Sequence, residues 1–132
     1  MKWGNKFPAD YVNRLYSMVS KNLDSKFRFV CFTENIEGIR PEVETQELPE
    51  LELPPGAPER GWRELTVFKK NFGGLSAPTL FLDLDVVIFG KLNVFFSQPG
   101  DFLIAHDKKN LKKREGNSSV FRFEAGKYPQ IL

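Results

Sequence analysis

The sequence is poor in cysteine and histidine, with one of each in 132 residues. A single cysteine, Cys31, excludes a disulfide framework within the chain, which favours a reducing compartment. Because Cys31 lies in the apolar run FRFVCFT, we predict a buried, structural thiol. The only histidine, His106, is interpreted as a strand-end residue, and a metal-binding role is the alternative.

Long hydrophobic runs are also lacking. No apolar stretch approaches the ~20 residues of a membrane span, and the opening MKWGNKF has no hydrophobic core of a signal peptide. A cytoplasmic protein with no membrane span is therefore expected. The net charge of +2 gives no support to nucleic-acid binding, and no aromatic residue interleaves the basic run KKNLKKRE.

What the sequence does contain is an alternation of helix and strand patterns over one domain, residues 1–132. The apolar spacing of PADYVNRLYSMVSKNL predicts a helix, and WRELTVFKKNF predicts a second one that ends at a Gly-Gly pair. Two loops are predicted, a Pro/Glu-rich one at about 49–60 and a basic one at about 108–116. Five segments are predicted to be strands, of which 43–48 has the weaker pattern: 27–33, 43–48, 79–89, 102–105 and 118–123.

The segment LFLDLDVVIFG places two aspartates, Asp83 and Asp85, in the most hydrophobic run of the chain. If the run is one buried parallel strand, both carboxylates point to the same face, about 6.5–7 Å apart at Cα. Ligand crevices of open α/β sheets lie at the carboxyl ends of such strands. Two carboxylates there repel each other unless a cation lies between them, and Mg²⁺ or Mn²⁺ prefers oxygen ligands. A turn in which both aspartates cap backbone N–H groups is the alternative.

The same segment, LFLDLDVVIFGKL, resembles the DXD segment of nucleotide-sugar glycosyltransferases of the GT-A fold. Other stretches are similar to a bacterial and phage subgroup of that family, in the same order: KWGNKF, YVNRLYSMVSKNL, FRFVCFTENIEGI, GWRELTVFK, PGDFLIAHD and NSSVFRFEAG. The resemblance implies a three-layer α/β/α sandwich, a Rossmann-like nucleotide-sugar-binding fold. It also implies a UDP- or GDP-sugar donor, an acceptor that the sequence does not identify, and a divalent cation.

The resemblance assigns roles to particular residues. Asp83 and Asp85 correspond to the metal ligands, whereas the remaining residues are expected to contact the donor. Lys2 with Trp3, and Thr33, match segments that lie beside the nucleotide base. The other donor contacts are expected near the sugar or the phosphates: Arg63, Asp107, Asn117 and Ser118.

Three departures from the family pattern affect what the resemblance implies. The family has a strand directly before KWG, a basic residue where this chain has Glu64, and about a hundred further residues that form the acceptor half. We therefore expect an incomplete fold that encodes donor binding more fully than catalysis. An open sheet edge in such a fold could be covered by a homodimer.

Two other functions stay open from the sequence. The first is a non-catalytic, nucleotide-sugar-binding remnant. The second is a phosphohydrolase of the haloacid dehalogenase type, whose first motif is also a strand followed by Asp-X-Asp, with Asp83 as the nucleophile. That motif normally leads into a turn rather than into VVIFG, and only 47 residues follow Asp85.

Overall fold

A computed structural model describes residues 1–56, 61–107, 109 and 113–131. The described chain contains two α-helices, five strands and three 3₁₀ segments. The helices are α1 (Ala9–Asn22) and α2 (Asn93–Ser97). The strands are β1 (Val30–Phe32), β2 (Glu44–Gln46), β3 (Pro78–Leu82), β4 (Phe102–His106) and β5 (Gly116–Glu124). The 3₁₀ segments are Trp62–Phe68, Phe72–Gly74 and Pro129–Ile131.

Helix α1 forms where the apolar periodicity predicts it. Pro8 precedes the helix as its N-cap residue, so its missing N–H costs no helical hydrogen bond. Val12, Leu15 and Val19 are buried, and their spacing of three and four residues places them on one face. That face packs against Cys31 of β1, whose predicted burial is confirmed.

Strands β1 and β2 form a parallel pair, with Cys31 opposite Thr45. The other edge of β1 meets the start of the chain, where Lys2 pairs in parallel with Thr33 and its N–H donates to the Phe32 carbonyl at 2.8 Å. The chain therefore enters this half of the molecule running in the same direction as β1.

Strands β3, β4 and β5 form a separate antiparallel sheet with β5 in the centre. Phe81 lies opposite Phe121, and Ile104 lies opposite the same residue from the other side. The sequence predicts a buried parallel strand here. Instead β3 is an edge strand whose only strand partner in the described chain, β5, is antiparallel.

The core consists of two clusters. One lies between α1 and β1, and its buried members are Val12, Leu15, Cys31, Val43 and Leu84. The other is dominated by phenylalanine and joins the 3₁₀ segments to β3 and β5: Phe32, Val67, Phe68, Phe72, Phe81, Phe121 and Phe123. Six of the 13 phenylalanines of the chain are buried in this second cluster.

The helix predicted over residues 62–72 is wrong in type and in continuity. Trp62–Phe68 is a 3₁₀ segment, and Asn71 takes a left-handed conformation (φ 60°) that interrupts the chain before a second short segment. The predicted helix end at Gly73 and Gly74 is also wrong, because the first segment ends at Phe68 and both glycines, which have positive φ, lie within the second segment.

The strand predicted over residues 79–89 is too long. It ends at Leu82, and VVIF is irregular. Helix α2 was not expected from the sequence. The loop predicted at 49–60 has no helix or strand in its described part, whereas 57–60 and much of the basic loop, 108 and 110–112, lie outside the described residues.

The described chain is thus a mixed α/β structure with two small sheets. None of its described helices is long and apolar enough to cross a lipid bilayer.

Candidate functional site

The ends of β3 and β4 and the start of β5 lie on the same side of the molecule. Asp83 directly follows β3, and its N–H donates to the Ser119 carbonyl of β5 at 2.9 Å. Asp107 directly follows β4, and its N–H donates to the Glu115 carbonyl next to the start of β5. Because β5 is antiparallel to both neighbours, its first residues lie beside the ends of β3 and β4.

The end of β1 reaches the same region. The amino group of Met1 interacts electrostatically with Asp83 and Glu64, and Lys2 next to it is paired with Thr33. The structure therefore brings the aspartate segment together with Lys2, Thr33 and the start of β5.

Asp83 and Asp85 lie on a turn rather than within one strand. Leu84 and Asp85 form the turn, and the Val86 N–H donates to the Asp83 carbonyl at 3.3 Å. The apolar residues VVIF follow the turn. Within the turn, Leu84 is buried between the two aspartates. The expectation that both carboxylates project from a single extended strand is therefore wrong.

Neither carboxylate serves the turn. Across the described residues, no hydrogen bond to a side-chain oxygen of Asp83 or Asp85 is found, so these carboxylates do not cap backbone N–H groups there. Asp83 is half-buried and Asp85 is exposed. Two acidic side chains at one chain reversal, with their oxygens uncommitted within the described chain, are suitable ligands for a hard divalent ion.

A larger ready-made metal cluster is not seen. The described part of the chain contains no group of three His, Cys, Asp or Glu side chains spaced to hold a metal. Any ion at this turn would therefore draw its other ligands from water or from a bound phosphate, which is usual for Mg²⁺.

Asn117, Ser118 and Asp107 surround the start of β5. Asn117 lies opposite Ala105, after a register shift between Ile104 and Ala105. Its side-chain oxygen accepts the Ser119 N–H at 2.9 Å. Asp107 uses one carboxylate oxygen to accept the Lys109 N–H at 2.9 Å. Asn117 thus orders the backbone at Ser119, the residue whose carbonyl bonds to Asp83, whereas Asp107 orders the start of the loop after β4. Both side chains still have further acceptor capacity.

Glu64 belongs to this site although the sequence assigned it no role. Burial raises the pKa of its carboxyl, and the nearby Asp83 raises it further, whereas the Met1 amino group acts in the opposite direction. The sequence analysis noted Glu64 only because the resembled family has a basic residue at this position. Nothing in the spacing of Glu64 and Asp83 predicts it, because 19 residues separate them.

Glu64 also faces a shallow cleft of about 380 Å³. The cleft lies between the segment Trp62–Phe68 and the ends of the antiparallel strands. Its lining is mostly apolar, with Ser118 as a polar contributor from β5: Gly61, Trp62, Glu64, Leu65, Phe68, Phe102, Ile104, Ser118 and Phe121.

The residues expected near a nucleotide base are less accessible to a ligand than the aspartates are. Thr33 is buried, and its hydroxyl donates to the Asn35 carbonyl at 3.0 Å while it accepts the Asn35 N–H at 3.2 Å. Lys2 is also buried, and Trp3 is half-buried. Thr33 thus has a structural role in the turn after β1.

Arg63 directs part of its guanidinium to the Pro/Glu-rich segment. Its Nη1 donates to the Pro49 carbonyl at 3.0 Å. The same segment receives the Lys69 ammonium at the Glu50 carbonyl, at 2.6 Å. These two bonds fix residues 49 and 50 over the 3₁₀ segment, which gives Arg63 a structural function beside the expected phosphate contact.

No protein-family model, no characterised protein and no solved structure matches this chain.

Proposed function

We propose that this chain binds a nucleotide-diphospho-sugar through a divalent cation held by Asp83 and Asp85, as the donor-binding domain of a GT-A-type glycosyltransferase. The observation that supports this proposal is the meeting of the aspartate turn with the start of β5. Asp83 and Asn117 are 34 residues apart in sequence, yet the Asp83 N–H bonds to Ser119, two residues from Asn117.

The chemistry of the residues agrees with such a ligand. Mn²⁺ or Mg²⁺ bound by carboxylates would act as a Lewis acid that stabilises the leaving diphosphate. Asn117 and Ser118 offer amide and hydroxyl groups of the kind that bind sugar hydroxyls. In this proposal Asp107 contacts the sugar or the acceptor, Lys2, Trp3 and Thr33 lie towards the base, and Arg63 lies towards the phosphates. The acceptor stays unidentified.

The fold that goes with this function is a three-layer α/β/α sandwich of the Rossmann-like GT-A type. The parallel β1–β2 pair covered by α1, and the strand ends gathered on one side, support it. In such sheets the ligand crevice lies beyond the carboxyl ends of the strands, where Thr33 and Asp83 are found.

Calorimetry tests the proposal. UDP- and GDP-sugars are titrated into the protein with and without 1 equivalent or more of Mn²⁺, and we expect binding only with the ion. The double change Asp83→Asn and Asp85→Asn should weaken binding at least about tenfold, which corresponds to ~1.4 kcal/mol. Asp24→Asn is the matched control, because Asp24 follows the far end of α1 and pairs with Lys91.

Two results would contradict the proposal. One is donor affinity that does not depend on the metal, and the other is affinity that the double change leaves as it was. Turnover of a generic phosphate ester, abolished by Asp83→Asn alone, would favour a phosphohydrolase in which Asp83 is the nucleophile.

A second candidate is nucleotide-sugar binding without transfer. Glu64 favours it, because an acidic side chain next to Asp83 would oppose the negative charge that develops on the leaving diphosphate during transfer, whereas a bound cation would still hold the intact donor. Donor binding with no release of free sugar or nucleoside diphosphate over hours would support this reading, whereas steady Mn²⁺-dependent release would exclude it.

A further inference from the structure

Residues 85–91 run from the aspartate turn along α1. Leu84, just before them, belongs to the core cluster of α1, and the Leu92 N–H, just after them, donates to the Asn22 carbonyl at the end of that helix at 2.8 Å. Between these two attachments, residues 86–89 belong to no helix, strand or turn. The segment is therefore held at both ends and irregular in its middle.

The side chains of this segment alternate between α1 and solvent. Val86 and Ile88 are half-buried, whereas Val87 is 72% exposed and Phe89 is 95% exposed. Phe89 is the most exposed large hydrophobic residue of the described chain. Alternation with a period of two is the pattern of an extended strand. Apolar side chains left side by side in water to this degree mark a surface for another molecule.

The backbone of the segment has a free edge that points away from α1. The Ile88 N–H donates to Sδ of Met18, within α1, at 3.4 Å. In an extended chain the N–H groups of neighbouring residues point to opposite edges, so those of Val87 and Phe89 point away from the helix. No hydrogen bond within the described chain uses the N–H or C=O group of either residue. The segment thus exposes backbone groups as an edge strand does.

The sequence of the segment, DVVIFGK, is complementary to itself when two copies run antiparallel. With Ile88 at the centre, Asp85 of one copy lies opposite Lys91 of the other, and Val87 lies opposite Phe89. These four side chains are all exposed. A parallel pair would instead place each charge opposite the same charge, which is destabilising. A shift by one residue would oppose outward-facing backbone groups to groups that face α1.

We propose that residues 85–91 are a homodimer interface, in which two copies of this chain pair as antiparallel strands about a two-fold axis at Ile88. Val87 of each copy exchanges backbone hydrogen bonds with Phe89 of the other, at a Cα separation of about 5.5 Å. The interface is isologous and therefore closes at two copies. One segment on each side buries less than the ~1,000 Å² of a stable interface, so the dimer is weak, with a Kd of about 10–100 µM.

An ion pair flanks the apolar pairs at each end. Lys91 contacts Asp24 of its own chain at 2.6 Å, and its ammonium group has further donors for Asp85 of the second copy. The Asp85 carboxylate accepts no hydrogen bond within the described chain, so it is free to receive them. The inference does not depend on the proposed nucleotide-sugar function, and EDTA in the experiments below keeps a cation away from Asp85.

Sedimentation velocity from about 10 µM to about 1 mM protein, in EDTA, tests the proposal. We expect the original chain to pass from monomer to dimer across this range. Phe89→Lys removes both Val87–Phe89 pairs and should raise the Kd at least about tenfold. Ile36→Lys is the matched control, because Ile36 is 64% exposed in the loop after β1, and this change should leave the Kd as it was.

Disulfide cross-linking tests the register. Val87→Cys and Phe89→Cys are prepared as two separate proteins, and the antiparallel pairing places their new thiols opposite each other only when the proteins are mixed. In either protein alone the thiols are two residues out of register, beyond the ~7 Å Cα separation that a disulfide spans. We expect at least about fivefold more linked dimer from the mixture in a glutathione redox buffer. Cys31 is buried in both proteins.

Three results would overturn the proposal. The first is a monomer at every concentration, and binding of that monomer to phosphatidylglycerol vesicles through Phe89 would assign the surface to a lipid instead. The second is a dimer that Phe89→Lys leaves intact, which would place the interface elsewhere. The third is linked dimer that forms as fast from one cysteine variant alone as from the mixture, which would indicate a parallel pair or random collision.

Discussion

At the scale of single residues, the site is defined by acidic side chains that few hydrogen bonds hold in place. Asp83 and Glu64 meet near the ends of β1 and β3, and the Met1 amino group lies beside them, while Asp85 is exposed on the turn that follows Asp83. A concentration of carboxylates near the surface costs stability unless cations offset it. The same repulsion is what would favour a divalent ion at the proposed site.

Glu64→Gln tests this cost. Because the pKa of Glu64 is raised in the folded protein, the folded state holds its proton more tightly, and this carboxyl reduces stability as pH rises above its ordinary value near 4.5. We expect Glu64→Gln to be more stable than the original protein at pH 7 by about 0.5 kcal/mol, the scale of a partly screened interaction. Urea unfolding between pH 3.5 and 7 measures the difference, which should vanish at the acidic end.

Glu37→Gln is the matched control, since Glu37 lies in an exposed turn and is not among the charges that act on Glu64. Equal stabilisation by both changes would show that general charge reduction, rather than the Asp83–Glu64 contact, is responsible.

At the scale of elements, the irregular segment 62–74 joins the two sheets. It contributes Val67, Phe68 and Phe72 to the phenylalanine-rich cluster, and the rings of Phe32 and Phe72 are 4.2 Å apart at their centroids. Gly73 lies directly against Phe32, and its carbonyl accepts the side-chain amide of Gln46 at 3.1 Å. The contact depends on a residue with no side chain at position 73.

Gly73→Ala should be strongly destabilising. Its φ of 53° disfavours any Cβ, and the added methyl would overlap the Phe32 ring and approach the Gln46 Oε1 at 2.9 Å. We expect a loss of about 2–4 kcal/mol in the free energy of unfolding, from backbone strain and overpacking together. Chemical denaturation with fluorescence detection measures it.

Gly126→Ala separates the two causes. Gly126 also has positive φ, at 80°, but an added Cβ would meet no atom within 4 Å. It should lose only the strain, about 1 kcal/mol. A loss at Gly73 no larger than the loss at Gly126 would show that the Phe32 contact is not tight.

The helices, strands and turns also show which parts of the fold could be predicted from the sequence. Helix α1 follows from its periodicity, and β4 follows from a short apolar run between loop signals. In LFLDLDVVIFG apolar residues resume directly after the aspartates, and no Gly, Pro or Asn stands at the turn, so the pattern favours a continuous strand over the turn at Leu84–Asp85. For WRELTVFKKNF, apolar spacing of three to four residues fits both an α-helix and a 3₁₀ segment.

The candidate site, too, could be predicted from the sequence only in part. That the aspartates and the segment NSS approach each other agrees with the sequence-based expectation of strand ends on one side. The contact between Glu64 and Asp83 could not be predicted, because it depends on how the 3₁₀ segment packs on β3. The antiparallel order of β3, β5 and β4 depends on long-range pairing, about which local patterns carry no information.

At the scale of the whole molecule, the described structure is two sheets that share a phenylalanine-rich core. Met1 packs against that core, and burial lowers the pKa of its amino group.

Acetylation of the Met1 amino group should stabilise the protein at neutral pH. Because burial lowers the pKa of this amine below 8.0, the unfolded chain binds its proton more tightly, and the free-amine protein loses stability as pH falls below 8. At pH 7 we expect the acetylated chain to be more stable by more than ~0.5 kcal/mol, the usual limit for an exposed charge. Parallel urea titrations of both forms between pH 6 and 9.5 measure this.

The advantage of the acetylated chain should shrink above pH 9, where both forms are neutral. A constant difference across this range would mean that the acetyl group stabilises by contact, not by removing charge.

Cys31 has one more consequence. It is the only thiol of the chain, it is 2% exposed between α1 and β1, and burial raises its pKa, so it is protected twice from alkylating reagents. Cys31 is therefore a single probe of the local opening that exposes this thiol to solvent. The rate at which a thiol reagent labels the native protein gives the frequency with which the helix lifts from the strand.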